Sequence, residues 1–377
     1  MIKKESVVLF RDFLEDNRTS MEIYSDKLES ALKPIAKDFI NINSYTPSIS
    51  NWLSKYKLPF GISMRYARYF SYPNQAKKNQ GKINHIIDQS YAHLLNTINS
   101  RQTIITVHDL IPLLAWKGVI PGLKHPHFPL LYKLSIASLN KAKAIIAISK
   151  NTKKDLINYC GIDPSSITVI HAGVDKRFCS FSNEKKKLAR HSLGFLEKNT
   201  HIILITGFQT YKNILVSFQV VSKLQHSLNV NVQLIWLGSN KDMCTKYSKH
   251  VNLINNAIPL SNLGFDRLVE LYNGVDCLLF PSLYEGFGSP PLEAMACGTP
   301  VITSNVASIP EVVGDAAFML LPSDVDGLAE AVKNILENET LRNDYIKRGY
   351  ANAKRFTWER SASKIFSLYQ KILNEKF

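Results

Sequence analysis

The stretch Tyr284-Glu285-Gly286-Phe287-Gly288-Ser289-Pro290-Pro291-Leu292-Glu293-Ala294-Met295-Ala296-Cys297-Gly298 follows an apolar run of strand length, Cys277–Phe280, that stops at Pro281-Ser282. Two glycines loosen the backbone, and two prolines open a helix that Gly298 ends. A residue before proline avoids the α region, so Pro291 is expected at the first helical position and Glu293 at the third. A strand, a glycine loop and a helix start together aim backbone N–H groups and a positive dipole end at an anion. Candidate donors are the amides of Gly286, Phe287, Gly288 and Leu292, since Pro290 and Pro291 have none. Glu285 and Glu293 flank the spot. Amides for a phosphate and carboxylates for hydroxyls suit a nucleotide sugar. The plainer reading makes Glu293 a helix cap and Glu285 an exposed loop carboxylate.

Outward from this stretch, strands and helices alternate. Val7–Phe10, Ile83–Ile87, Thr103–Val107, Ala144–Ile148 and Ile167–His171 read as strands, with helices at Ser20–Lys33, Leu130–Lys143 and Asn151–Tyr159. The pattern restarts after Gly173-Val174-Asp175. Residues 176–200 form a Lys-rich linker with a helix, and His201–Thr206, Gln233–Leu237, Val251–Ile254 and Val301–Ser304 are the next strand candidates. Leu268–Asn273, Asp324–Glu337, Thr340–Arg355 and Trp358–Lys376 have helical character. The fold class is α/β, with two Rossmann-like doubly wound domains facing a cleft at the carboxyl ends of both sheets. The expected divisions are 1–175, 176–356 and a final helix, 357–377, crossing back to the first domain.

A chain of 377 residues, 45% hydrophobic and 20% charged, fits two soluble domains. No apolar run reaches the roughly 18 residues of a membrane span, and Val7–Phe10 is too short for a signal-peptide core. The cytoplasm is the expected compartment. Five scattered cysteines have no metal spacing and read as free thiols. The net charge of +15 is concentrated in the first half, which holds 23 Lys/Arg against 13 Asp/Glu. No acid occurs between Asp38 and Asp88. That gap holds Lys55, Lys57, Arg65, Arg68, Lys77, Lys78 and Lys82 among Trp52, Tyr56, Phe60, Tyr66, Tyr69, Phe70 and Tyr72. Cations interleaved with aromatics suit an anionic membrane surface. A solvated basic face over core aromatics is the plain alternative, and nucleic acid is disfavoured.

The stretch from Glu285 to Glu293 resembles the E-x(7)-E motif of retaining glycosyltransferases of family 4, which have the GT-B fold. The similarity continues through Thr299–Ser304, Pro310-Glu311-Val312 and Gly314–Ala317, with weaker matches back to about residue 103, and it leans toward mannosyltransferases. The resemblance implies that Glu293 binds the ribose hydroxyls of the donor, and that Glu285 holds the donor sugar and stabilises developing positive charge. Gly207-Phe208-Gln209-Thr210-Tyr211-Lys212-Asn213 is similar to the family's glycine loop, which makes Gly207 and Lys212 donor-binding residues, with Lys212 on the phosphate. The family often has an arginine after that glycine; here Phe208 stands. His108-Asp109 matches a pair that lies near the donor sugar, with Asp109 orienting. The glycine-rich loop common after the first strand is replaced by Asn17–Glu22, where Arg18 or Ser20 would contribute instead.

What the resemblance implies as a whole is a metal-independent transferase with no cofactor. It would move a sugar from a nucleotide diphosphate sugar, GDP-mannose favoured over a UDP-sugar, to a glycan or lipid-linked acceptor of a surface polysaccharide. It would work in the cytoplasm or on the inner face of the membrane. The rival reading is a catalytically silent GT-B protein that binds a nucleotide sugar or a partner. Asp324-Val325-Asp326 has the form of a metal-binding D-x-D, but its place at a helix start favours a cap.

Overall fold

β-Branched and leucine-rich runs form the strands. In the first half they are β1 (Glu5–Phe10), β2 (Ile40–Tyr45), β3 (Ile83–Ile86), β4 (Thr103–Val107), β5 (Ala144–Ala147) and β6 (Ile167–Val169). In the second half they are β7 (His201–Thr206), β8 (Val232–Leu237), β9 (Ile258–Leu260), β10 (Cys277–Phe280), β11 (Val301–Ser304) and β12 (Phe318–Leu320). The computed structural model describes residues 4–49, 60–123, 129–194, 200–227, 230–255 and 257–375. The strand orders are β2-β1-β3-β4-β5-β6 and β12-β11-β10-β7-β8-β9, with parallel pairing in both sheets. Central strands such as β4 and β10 are buried along their whole length, as expected of parallel sheets covered by helices. Crossovers run in opposite directions from β1 and β3, and again from β7 and β10. Right-handed connections therefore place helices on both faces of each sheet.

Two units result. One comprises Met1–Lys117, His125–Gly173 and Thr357–Phe377; the other comprises Gly118–Lys124 and Val174–Phe356. The division falls at Gly173/Val174, two residues before the expected boundary, and residues 118–124 group with the second unit. The last helix, Trp358–Asn374, packs within the first unit on the helix Thr19–Ala36. Ser361 donates to the His171 carbonyl at 2.6 Å, and the Tyr369 hydroxyl meets His85 Nδ1 at 2.6 Å. Gly173 permits this packing, because a Cβ there would lie 2.2 Å from the Trp358 nitrogen.

Several elements differ from the sequence reading. Val251–Ile254 is not a strand. Val251 ends the helix Lys241–His250, Asn252 turns left-handed at φ 54°, and Leu253 N–H returns to the Ser248 carbonyl at 2.9 Å. The apolar residues there close a helix C-terminus. The strand is β9, whose Pro259 is tolerated because β9 lies at a sheet edge. The helix Ile214–His226 is apolar enough to have been passed over; Phe218 and Val221 bury it against Trp236 and β8. The mostly polar β2, ININSY, is also an edge strand.

Residues Trp52, Lys55, Tyr56 and Lys57 of the basic aromatic gap lie outside the described residues, as does the Phe60 side chain. Beyond them run the helices Phe60–Tyr66 and Tyr72–Lys78, joined by a π-turn at Ala67–Ser71. Tyr66 and Phe70 are exposed and stack at 5.4 Å, Arg65, Lys77, Lys78 and Lys82 are exposed, and Tyr72 is buried in the core. Among the described residues, no helix is long and apolar enough to cross a membrane.

Candidate active site

In an open parallel sheet, ligands bind beyond the carboxyl ends of the two strands where the order reverses. In the second unit those strands are β7 and β10, which are neighbours. The chain leaves β7 through Gly207, at φ +82°. Gly207 N–H donates to the Leu237 carbonyl at 2.9 Å, and its carbonyl accepts from the indole of the buried Trp236 at 2.6 Å. A single turn at Thr210–Lys212 then closes on Asn213 in the left-handed region. The Asn213 amide donates to the carbonyls of Pro281 and Pro322 at 3.0 and 2.7 Å. This ties the loop after β7 to the loop after β10, and Leu283 N–H adds a bond to the Tyr211 carbonyl at 2.7 Å.

This tie brings Lys212 and Glu285 together. Nζ lies 2.7 Å from Oε1, with side chains only 12% and 9% exposed, and Nζ also sits 4.7 Å from the centre of the Phe280 ring. In a pair this enclosed, loss of either partner leaves an uncompensated charge. The Glu285 backbone is held from below: Ser308 Oγ is 2.9 Å from its carbonyl oxygen and 2.8 Å from that of Phe287. Phe287 packs edge-on against Phe356 at 5.8 Å. Phe208, in the place of the family's arginine, is exposed.

The helix that follows spans Ser289–Cys297. Gly288 precedes it at φ 104°, a conformation open to glycine, so Ser289 starts the helix and both prolines fit in its first turn. Glu293 is therefore the fifth helical residue, not the third, and it does not cap. Leu292 is the fourth, whose N–H the regular pattern bonds to the Gly288 carbonyl. The amides of Gly288 and Ser289 stay outside that pattern. Glu293 instead accepts from the Tyr272 hydroxyl at 2.9 Å through Oε2. Burial pushes the Glu293 carboxyl up to about 7, against the opposing pull of Tyr272 and Lys212. Asp324 caps the helix Val325–Glu337 by accepting from Gly327 N–H at 2.8 Å, and Asp326 pairs with Lys223 at 2.6 Å. Neither acid of the D-x-D is left for joint use.

In the first unit the order reverses between β1 and β3. Asp12 and Asp88 follow those strands, and His108 follows β4. Arg18 lies 2.5 Å from Asp88, 2.7 Å from Ser90 Oγ and 3.9 Å from Asp12. Asp12 is buried, and no donor reaches either of its oxygens. Its carboxyl neighbour Asp88 is itself an acceptor, so a proton held by Asp12 lets it donate to Asp88. Burial first, and the Asp88 charge second, push Asp12 up to about 9. His108 Nε2 lies 2.9 Å from the Ile87 carbonyl, which can only accept, so Nε2 carries the hydrogen and Nδ1 stays an acceptor. Burial lowers the His108 pKa and keeps the ring neutral. Asp109 accepts from Ile111 N–H at 2.9 Å. The sequence reading placed Arg18 here but missed Asp12 and Asp88. Their position two residues past a strand end at a reversal of strand order was the available signal.

The two halves match family profiles: "Glycosyltransferase Family 4" over residues 26–178 and "Glycosyl transferases group 1" over residues 185–352. The chain belongs to glycosyltransferase family 4. This family 4 chain is 26% identical to the serotype-specific mannosyltransferase WbdA of Escherichia coli over 72% of its own length and 34% of WbdA. It thus spans about a third of that relative. It is 30% identical to the O-antigen chain mannosyltransferase RfbU of Salmonella typhimurium, covering 66% of this chain and 65% of RfbU. The relatives make it mannosyltransferase-like. The sucrose-phosphate synthase of Thermosynechococcus elongatus superposes with a TM-score of 0.75 at 17% identity, over 98% of this chain and 99% of that one. The shared fold is GT-B.

Gly207 offers a direct test of the site's construction. A Cβ there would lie 3.0 Å from Lys212 Cε and 3.1 Å from Cγ, in a left-handed backbone. Gly207→Ala is expected to lower stability by about 1–2 kcal/mol and to weaken nucleotide binding by roughly tenfold or more. Thermal melts and titration calorimetry would check both. Unchanged binding would show that Lys212 is not held in place by this glycine.

Proposed function

We propose that this family 4 chain is a retaining glycosyltransferase that needs no metal and takes a nucleotide diphosphate sugar as donor. The observation that carries the reading is the enclosed Lys212–Glu285 pair at the strand-order reversal, with Gly288 and Ser289 three and four residues beyond Glu285 and with Glu293, on which the Lys212 charge bears, in the helix that follows. On this reading the diphosphate lies against those amides and Lys212, the ribose hydroxyls donate to Glu293, and Glu285 turns to the donor sugar. The acceptor hydroxyl attacks the anomeric carbon on the face from which the diphosphate departs. The old C–O bond breaks, the new one forms, and the acceptor's proton passes to the leaving phosphate oxygen. Lys212 offsets the charge that grows there, and Glu285 offsets the positive charge on the ring.

The mannosyltransferase relatives favour a mannosyl donor, with GDP-mannose ahead of UDP-sugars, and a surface-polysaccharide glycan or lipid-linked glycan as acceptor. His108 Nδ1 and the group around Arg18 are the acceptor-side candidates. The exposed Tyr66–Phe70 stack beside Arg65, Lys77, Lys78 and Lys82 supports docking on the anionic inner face of a membrane. A thermal-shift series with GDP, UDP and their sugar conjugates, run in EDTA, tests the donor reading. One nucleotide family is expected to raise the melting temperature without any divalent ion. A shift that requires Mg²⁺ or Mn²⁺ would overturn the metal-free mechanism, and no shift with any of them would overturn the donor assignment.

A further inference from the structure

We infer that Tyr272 is a positioning residue of the donor site, its hydroxyl holding Oε2 of Glu293 so that the carboxylate is fixed in one orientation for a ligand hydroxyl. The inference rests on the donor reading above. Tyr272 is 1% exposed and lies in the last turn of the helix Phe265–Gly274. Its ring is held edge-on by Phe178 at 5.8 Å. Phe178 packs in turn on Phe265, over which the Arg177 guanidinium sits at 3.7 Å. The Tyr272 carbonyl accepts from Thr299 Oγ1 just past the Glu293 helix, which locks the two helices in register. A buried tyrosine in such a frame has little freedom, and its single O–H has one described acceptor, the carboxylate 2.9 Å away. Burial raises the Tyr272 pKa well above its usual value, so the hydroxyl remains a donor throughout the working range.

The consequence for recognition is specific. A carboxylate with both oxygens open can take both hydroxyls of a vicinal diol, one on each oxygen. With one acceptor position of Oε2 engaged, Glu293 meets the diol in a fixed orientation. The charged groups that bear on it are Lys212 from the turn after β7, which favours its ionised form, and Asp175 from the segment entering the unit, which opposes it. Cys297 bears on it from its own helix. Asp175 is itself paired with Arg177 at 2.8 Å. Removing the Tyr272 hydroxyl takes away a donor that stabilises the charged carboxylate, so proton loss from Glu293 must move to higher pH.

The experiment is calorimetric titration of GDP and UDP into the wild-type protein, Tyr272→Phe and Glu293→Gln between pH 5.5 and 8.5. The wild type is expected to bind more tightly as pH rises through about 7, where Glu293 ionises. Tyr272→Phe is expected to bind about tenfold more weakly at pH 7, the usual size for a lost bond to a charged group, with its midpoint moved to higher pH. Glu293→Gln is expected to lose the step, leaving only the titration of the nucleotide's own phosphate. A purely structural Tyr272 would lower the melting temperature and leave the midpoint in place. Wild-type binding with an unmoved midpoint in Tyr272→Phe overturns the inference alone. Should Tyr272→Phe not fold, a pH step retained by Glu293→Gln overturns it instead. A wild type that binds neither nucleotide overturns the donor reading and this role with it.

Discussion

Glu285→Gln is expected to lower transfer by about 10²–10³-fold, the range seen when one group that stabilises a transition-state charge is removed. The substitution keeps shape and an acceptor oxygen at Nζ of Lys212, so the 2.7 Å contact survives as a neutral-acceptor bond. On the proposed mechanism, what it removes is the negative charge that faces the reacting ring. Lys212, freed from its ionic partner, loses nothing as a phosphate ligand. Affinity for a nucleoside diphosphate should therefore stay level or tighten while turnover collapses. Parallel assays of transfer and nucleotide binding check this. If both fall together, Glu285 is a structural counter-ion for Lys212 and not a catalytic group.

Asp12→Asn is expected to raise stability at neutral pH, and the gain should grow with pH. The folded-state pKa of Asp12, about 9, lies above its ordinary value of 3.8. The unfolded chain ionises this acid from pH 4 upward while the folded chain holds its proton. Asp12 is therefore harmless below about pH 4 and destabilising in increasing measure as pH rises toward 9. At pH 7 the difference is on the order of 2–4 kcal/mol. Asparagine supplies a permanent N–H toward Asp88 in place of the borrowed proton and has nothing to ionise on unfolding. Asp88 acts in the opposite direction: its pKa is depressed to about 2, chiefly by Arg18 working against its burial, so its contribution disappears only as pH falls below about 4. Melting temperatures of wild type and Asp12→Asn from pH 4 to 9 should diverge upward; parallel curves would dismiss the shared proton. A carboxyl so strongly perturbed by burial and by Asp88 is a candidate functional group.

The parallel sheets, their two-unit division and the loop–helix at 284–298 were legible because buried strands are continuous apolar runs and because glycine and proline punctuate them. The position of Glu293 was not. The rule that a residue before proline avoids the helix predicted a start at Pro291, yet Gly288 at φ 104° set the chain so that Ser289 begins it. Tyr272 was invisible for a different reason. Its partner lies 21 residues away, and only the pairing of two helices behind β10 joins them. Asp12 and Asp88 are 76 positions apart, with no local pattern to link them. They meet because β1 and β3 are neighbours, a fact of strand order and not of spacing. Lys212 and Glu285 were each singled out, but from different functions. Their mutual ion pair is a fact of tertiary structure, which no motif describes.

That ion pair has a selective effect. The ammonium and the carboxylate satisfy each other, so a passing anion meets a lysine already neutralised by its partner. Inorganic phosphate can replace one half of the contact but strands the other. A molecule carrying a diphosphate and a polyol at the right separation replaces both at once. On the proposed mechanism, Glu285 is released toward the sugar only when such a molecule has arrived, so readiness for chemistry would be conferred by the donor itself.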